Sequence, residues 1–416
     1  MEGCYAVHRG AFFVEVIQVI LLLLAGYIVF AVDKKKENVP VPVILVLIGI
    51  GLSYIPYFAH LELSKQVLYD IFLPGLLFIS AYKYPPRALR KHAGVIAVLS
   101  TVGLLASALL LGMVIYAAAG MFAGLSFVGA LLISSILTPT DPVSVVSILK
   151  QSSIDEEAAD VVDGESMIND GTSVVLFGVL AGMYMDGKSF NWLSFLGEFL
   201  LLGLGGALLG VGAGWLLSKT IHVTHHREYQ VMLSIIAAYG VFHLAEQLGI
   251  SGVLAVVASG IMLGWEFEHT NKEDHYREAL NGFWNVVEPT ILALVFLMIG
   301  IRAMDYLTLD GWGLAVLILA ASLAIRFLVI LLTMESFRGW RDFNDWRTCT
   351  LISLSGIRGT MSVVLLLTLA QEASSTGETE LILSLSFAVV MLSLVIQSLG
   401  IYPLAKIMGS GGKRNT

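Results

Sequence analysis

ILTPTDPVSVV (136–146) and ESMINDGTSVVLF (165–177) each hold an acid, Asp141 and Asp170, inside an otherwise apolar stretch. A charged carboxylate in hydrocarbon is costly enough that an intramembrane acid marks a functional site. Pro139 and Pro142 flank Asp141, so a helix entering this stretch is expected to break where the charge lies. A broken helix beside a buried acid is how many secondary transporters build an ion site at mid-membrane depth.

The surrounding chain agrees with a bilayer setting. It has 416 residues, 57% hydrophobic and 13% charged, with a mean hydropathy of +0.83, outside the range of soluble domains. The formal charge of -8 comes without the basic clusters that nucleic-acid binding needs, so no nucleic-acid partner is expected. Cys4 and Cys349 lie far apart without metal-ligand spacing and read as two unpaired thiols; no cofactor is implied. The run 11–32 is too long for a signal-peptide core and reads as a first span.

Apolar runs of roughly 17–25 residues, cut at polar breaks, predict an all-α polytopic membrane protein of about thirteen transmembrane helices. They are placed near 11–32, 39–57, 66–82, 93–120, 124–149, 160–185, 190–217, 229–248, 251–266, 283–302, 312–334, 347–371 and 380–406. With the N-terminus outside, internal loops collect Lys34, Lys35, Lys36, Lys83, Arg87, Arg90, Lys91, Lys150, Lys219, Arg227, Lys272, Arg277, Arg338, Arg341 and Arg347. The external side keeps Arg9, Lys65, Lys188 and Arg302. This asymmetry predicts an odd number of spans in a cell (inner) membrane, with a short cytoplasmic C-terminal tail. Arg326 and Arg358 fall inside spans.

At 1.5 Å per residue, Asp141, Asp170 and Arg358 are expected roughly 12, 15 and 16 Å from the internal surface, in one layer. On the sixth helix Asp163, Ser166 and Asp170 share one stripe, while Glu165 and Asn169 share the next. SLSGIRGTMS (353–362) is polar and Gly-rich and suggests a second interrupted helix. Two discontinuities in corresponding positions point to an inverted repeat with the site between its halves.

The chain resembles the monovalent cation/proton antiporters of the NhaP and NHE type, through TPTDP (138–142), GESMINDG (164–171), AEQLGISGVLAVVASG (245–260), FW (283–284) and SGIRGT (355–360). The resemblance implies two crossed discontinuous helices, a transport domain and a separate homodimer domain. Residues 1–92 and 187–302 would form mainly the dimer-interface domain; 93–186 and 303–416 would form the core. It implies Asp170 as the transport carboxylate, with Asp141, Thr140 and Ser166 as further oxygen ligands for Na⁺ and Asn169 beside them. Glu165 would pair with Arg358 as a structural ion pair. One departure stands out: LPGLLFISA (73–81) carries Gly75 and Ile79 where many relatives have proline and glutamate. Glu288 is the substitute candidate for that missing acid.

Competition of H⁺ with a hard monovalent cation for one carboxylate, under alternating access, gives Na⁺(Li⁺)/H⁺ exchange rather than enzyme chemistry. The neutral Asn169 next to Asp170 favours one-for-one, electroneutral exchange. A K⁺/H⁺ antiporter of the same fold and an intramembrane aspartyl hydrolase using Asp141 and Asp170 are the alternatives. Arg326 has two readings, a second core cation or a side chain that snorkels inward. Asp141 has a structural alternative as a turn-former before proline. His243 reads as a packing histidine; His222, His225 and His226 read as solvated loop residues.

Overall fold

The computed structural model describes residues 2–36, 40–59, 61, 66–120, 124–141, 156–188, 190–221, 226–269, 274–306, 312–337, 346–373 and 376–409. Every regular element among them is helical. In chain order these are α1 (Glu2–Lys36), α2 (Val41–Ser53), α3 (Leu73–Lys83, entered through a π-helical stretch at Val67–Phe72), α4 (Pro86–Gly120), α5 (Phe127–Leu137), α6 (Glu156–Met185) and α7 (Trp192–Ile221). There follow α8 (Arg227–Ile235, continued by Ile236–Gly240 and Val241–Gln247), α9 (Gly252–His269), α10 (Asp274–Tyr306) and α11 (Trp312–Ser336). The chain closes with α12a (Trp346–Ser355), α12b (Thr360–Glu372) and α13 (Gly377–Gly409). Eight helical stretches of the described residues are long and apolar enough to cross a membrane, and Val41–Ser53, Phe127–Leu137 and Gly252–Glu266 are shorter apolar helices.

Burial separates inner from outer helices. The apolar window of the twelfth segment is 83% buried and that of α6 is 78% buried, against 17% for α7. On α7 the exposed residues include Leu200, Leu201, Leu204, Leu208, Val211 and Trp215, an apolar surface suited to lipid or to a membrane-embedded partner. The polar motifs therefore lie on the inner helices, where only protein can satisfy them.

With no hydrophobic drive between helices in lipid, close approach has to come from small residues. A Cβ on Gly210 of α7 would lie 2.2 Å from the Ala255 carbonyl of α9, and one on Gly206 2.3 Å from the Ser251 carbonyl. Between α2 and α10 the same device is reciprocal: Gly49 faces the Leu297 carbonyl and Gly300 faces the Val46 carbonyl. The next layer is formed by α3 on α9, where Gly260 and Gly264 lie against the Phe78 and Tyr82 backbone. Against this, α4, α5, α6, α11, α12a, α12b and α13 pack on one another, with α6 touching both groups.

The second interruption is where the sequence predicted it, between Ser355 and Thr360. The fifth segment breaks earlier than its apolar run suggests. Helix α5 stops at Leu137, Thr138 bends, and the chain runs non-helically to Asp141; residues 142–155 lie outside those described. Proline at 139 supplies the physical reason, since it lacks an N–H to donate to the helix and disfavours helical geometry before it.

Backbone contact at Gly210 cannot relax the way a side-chain tip can. Gly210→Leu is expected to destabilise the purified protein by about 1–3 kcal/mol or more. Gly212→Leu on the same helix, with nothing within 4 Å of its Cβ, should leave the melting temperature in detergent unchanged. Equal shifts for the two variants would refute the packing account.

Candidate ion-binding site

The two breaks cross. The Asp141 N–H donates to the Ile357 carbonyl at 2.8 Å, one backbone hydrogen bond between the fifth and twelfth segments. The Thr360 hydroxyl donates to Asp141 Oδ2 at 2.7 Å, and the Thr360 N–H lies 3.5 Å from the same oxygen. Asp141 therefore sits at the N-terminus of α12b, where the helix dipole and free N–H groups favour a negative charge. Glycine is required on both sides of Arg358. A Cβ on Gly359 would lie 2.3 Å from Asp141 Cβ, and one on Gly356 2.6 Å from Arg326 Nε and 3.0 Å from Thr140 Cγ2.

Backbone carbonyls freed by the breaks are taken up by neighbouring helices, as a buried polar chain demands. From α6, the Ser166 hydroxyl donates to the Thr140 carbonyl, and the Asn169 amide lies 3.3 Å from the Thr138 carbonyl. The same amide reaches Glu165 Oε1 at 3.2 Å and Thr140 Oγ1 at 3.5 Å. From α13, Ser393 Oγ accepts the Arg358 N–H at 2.9 Å. Gln397 donates to the Leu354 and Gly356 carbonyls at 3.0 and 3.3 Å. Ser393 and Gln397 carried no signal in the sequence beyond being polar in an apolar run, and Thr360 none beyond its place after Gly359.

Asp170 lies on α6 with its side chain half buried; its Oδ1 is buried and has no hydrogen-bond partner in the structure. The carboxylates that act on it electrostatically are Asp141 first and Glu165 second. Asn169 Oδ1, one residue away, is likewise buried without a partner. Thr140, Ser166 and Asn169 are all buried. Asp141, Thr140, Ser166, Asn169 and Asp170 thus come together around the crossing, with two buried oxygens left unsatisfied. Oxygens of this kind suit a hard cation.

The expected Glu165–Arg358 pair is corrected. Glu165 accepts both guanidinium arms of Arg326, at 3.1 Å to Oε1 and 2.7 Å to Oε2. Such a fork is the strongest geometry for this pair. Arg358 instead donates through Nη2 to the Ser322 hydroxyl, and its Nε and Nη1 are buried without hydrogen-bond partners. Depth arithmetic placed Arg358 in the correct layer but carried no rotation angle. Arg326, midway along α11, faces Glu165, which resolves its two readings in favour of a core cation. Both arginines, Glu165, Asn169, Thr138 and Ser322 line a cavity of about 30 Å³, enough for one water.

Other sequence candidates separate from the site. Glu288, on α10, pairs with Lys83 at 2.6 Å instead of replacing the missing acid. Ile79 is fully buried, and Gly75 lies against the Tyr239 hydroxyl, 2.9 Å from where a Cβ would be, with Ile291 and Trp284 beyond. His243 is exposed and packs edge-on to Phe242. His226 stacks edge-on to Tyr229, and His222 and His225 lie outside the described residues. Cys349 is buried.

A multi-pass helical protein with crossed broken helices around buried acids has the architecture of a secondary ion transporter. The sodium/hydrogen exchanger transmembrane family matches residues 19–407, and the chain belongs to that family. It is 30% identical over 406 residues to the Na⁺/H⁺ antiporter NhaH of Halobacillus dabanensis, covering 94% of this chain and 98% of the relative. It is also 30% identical over 354 residues to the Na⁺/H⁺ antiporter NhaP of Pseudomonas aeruginosa, covering 83% and 82%. In fold it is similar to the sodium proton antiporter MjNhaP1 of Methanocaldococcus jannaschii solved at pH 8. The TM-score is 0.78 at 18% identity, covering 96% of this chain and 99% of that one.

Removing one member of a buried ion pair strands the other, which costs about 3–5 kcal/mol. A double-mutant cycle on unfolding of Glu165→Gln with Arg326→Gln should therefore show strong coupling, and the cycle with Arg358→Gln distinctly less. Larger coupling to Arg358 would overturn the corrected pairing.

Proposed function

We propose that this sodium/hydrogen exchanger family member carries out electroneutral Na⁺(Li⁺)/H⁺ antiport, with Asp170 as the carboxylate that H⁺ and the cation occupy in turn. The observation that carries this reading is the unsatisfied buried Oδ1 of Asp170 beside the crossed breaks. A buried acceptor without a partner is a site for something not in the chain. The antiporter relatives NhaH and NhaP support sodium as the cation. Thr140 Oγ1, Ser166 Oγ and Asn169 Oδ1 are the neutral oxygens assigned to complete such a shell. Asp141 contributes its negative charge while Thr360 holds it in place.

Charge balance supports one-for-one exchange. The layer contains Asp141, Glu165 and Asp170 against Arg326 and Arg358, which leaves a single negative charge when all are ionised. One Na⁺ or one H⁺ neutralises it, so the loaded core crosses the membrane field without net charge in either direction. Each uncompensated charge would be worth about 2.3 kcal/mol per 100 mV.

The same reading assigns α4–α6 and α11–α13 to a moving core. It assigns α1–α3 and α7–α10 to a scaffold whose apolar outer face joins a second copy in a homodimer. It places the N-terminus outside and the C-terminus in the cytoplasm of a cell membrane, with the lipid bilayer as solvent for the exposed leucines of α7.

In proteoliposomes, Asp170→Asn should abolish Na⁺-dependent proton flux while the protein keeps its helical content. Asp141→Asn should slow exchange by tenfold or more, and destabilise by about 0.3–1 kcal/mol through loss of the negative charge at the N-terminus of α12b. Exchange at near-native rate in Asp170→Asn would overturn the assignment. A turnover that changes steeply with clamped membrane potential would overturn the one-for-one scheme.

A further inference from the structure

Near the level of Asp170 and beyond, apolar contacts join the two helix groups. Leu254 and Val253 at the start of α9 face Gly171, the residue after Asp170, and Tyr306 stacks on Phe387 at 5.6 Å. At the opposite end, which bears Lys83, Arg87, Arg90 and Lys91, the contacts are polar and directional. The Tyr84 hydroxyl, at the end of α3, donates to the Asp160 carbonyl of α6 at 2.8 Å. Its ring lies over Gly164, where a Cβ would come within 2.6 Å of the Tyr84 oxygen and 2.8 Å of Cζ. Six residues beyond Tyr84, Arg90 of α4 lies over the Trp265 ring of α9 at 5.2 Å.

Each of these contacts joins one helix of the scaffold to one of the core: α3 to α6, and α9 to α4. A hydrogen bond of this length and a cation–ring contact are lost when the partners slide by a few ångströms. Apolar contacts beside a glycine tolerate sliding, because dispersion and close packing have no fixed direction. Tyr84 is buried, and burial together with the Asp160 and Asp163 carboxylates raises its phenol far above the ordinary value, so the hydroxyl remains a donor.

We propose that Tyr84 and the Arg90–Trp265 pair form a polar tie between scaffold and core at the cytoplasmic end, which must break and re-form in every transport cycle. On this account they are positioning residues that set the populations of the two access states, and they do not touch the cation. Weakening the tie lowers the share of the conformer that contains it and raises the other, so apparent Na⁺ affinity moves in opposite directions on the two faces. The inference rests on the alternating-access reading above.

The test uses the full chain in right-side-out and everted membrane vesicles from a host lacking its own sodium/proton exchange. Half-saturating Na⁺ is measured on each face for wild type, Tyr84→Phe, Arg90→Gln and the double variant. Tyr84→Phe keeps the ring and removes the donor; it should change the ratio of the two half-saturating concentrations by about five-fold, the equilibrium ratio that one net hydrogen bond commands. Arg90→Gln, on an exposed side chain, should shift the ratio in the same direction by about three-fold. The double variant should show the product of the two shifts. A purely structural role would lower the melting temperature or the maximal rate and leave the ratio alone. An unmoved ratio in folded Tyr84→Phe overturns the proposal; if that variant does not fold, an unmoved ratio in Arg90→Gln does. Wild-type vesicles that exchange no Na⁺ for H⁺ would instead bring down the transport reading, and this inference with it.

Discussion

The structure depends on two interrupted backbones passing each other inside the bundle, joined by the hydrogen bond from Asp141 N–H to the Ile357 carbonyl. Non-helical chain at membrane depth survives only when protein satisfies its polar groups. Here the satisfaction is divided: Ser166 and Asn169 of α6 serve the fifth segment, and Ser393 and Gln397 of α13 serve the twelfth. The crossing also needs two glycines. At Gly356 and Gly359 a single added carbon would strike Arg326, Thr140 or Asp141. Polar neighbours and missing side chains are therefore one requirement, since the backbones can bond only if they can approach.

That arrangement sets the electrostatics. Glu165 and Arg326 neutralise each other in a two-armed pair, removing both from the chemistry except as a fixed local field. Asp141 is held by Thr360 and the N-terminal end of α12b. Arg358, anchored by Ser322 and its own backbone bond to Ser393, offsets one further negative charge without direct ion pairing to Glu165. Asp170 remains the acid with a buried, unsatisfied oxygen. A group in that condition has a strong reason to take up a proton or a cation, which is the physical content of a shared transport site.

The departures at Gly75 and Ile79 acquire a packing reason. Trp284 is fully buried, donates to Ser234 at 3.0 Å and stacks obliquely on Phe78 at 5.4 Å. Gly75 leaves room for Tyr239 and Ile291 around that ring. An acid at position 79 would be buried, where the chain has an isoleucine side chain with 1% exposure. The chain thus fills the region around Trp284 with aromatic and aliphatic side chains. The proposed site relies on the acids of the fifth and sixth segments.

Much of this was legible before any coordinates. Hydropathy and helix length place the spans. Pro139 and the Gly356–Gly359 stretch mark both breaks, and 1.5 Å per residue brings Asp141, Asp170 and Arg358 to similar depth. These are local properties: composition, backbone sterics and rise per residue are carried by each segment on its own. The partner of Glu165 was not legible, because depth along a helix says nothing of which way a side chain on another helix points. Nor were the roles of four ordinary polar residues: Thr360, which serves Asp141 from 219 positions away, and Ser322, Ser393 and Gln397, which serve Arg358 or the backbone beside it from 35 to 43 positions away. Only packing chooses among polar groups at equal depth, because rotation and crossing of helices arise from contacts between segments and are written in no single one.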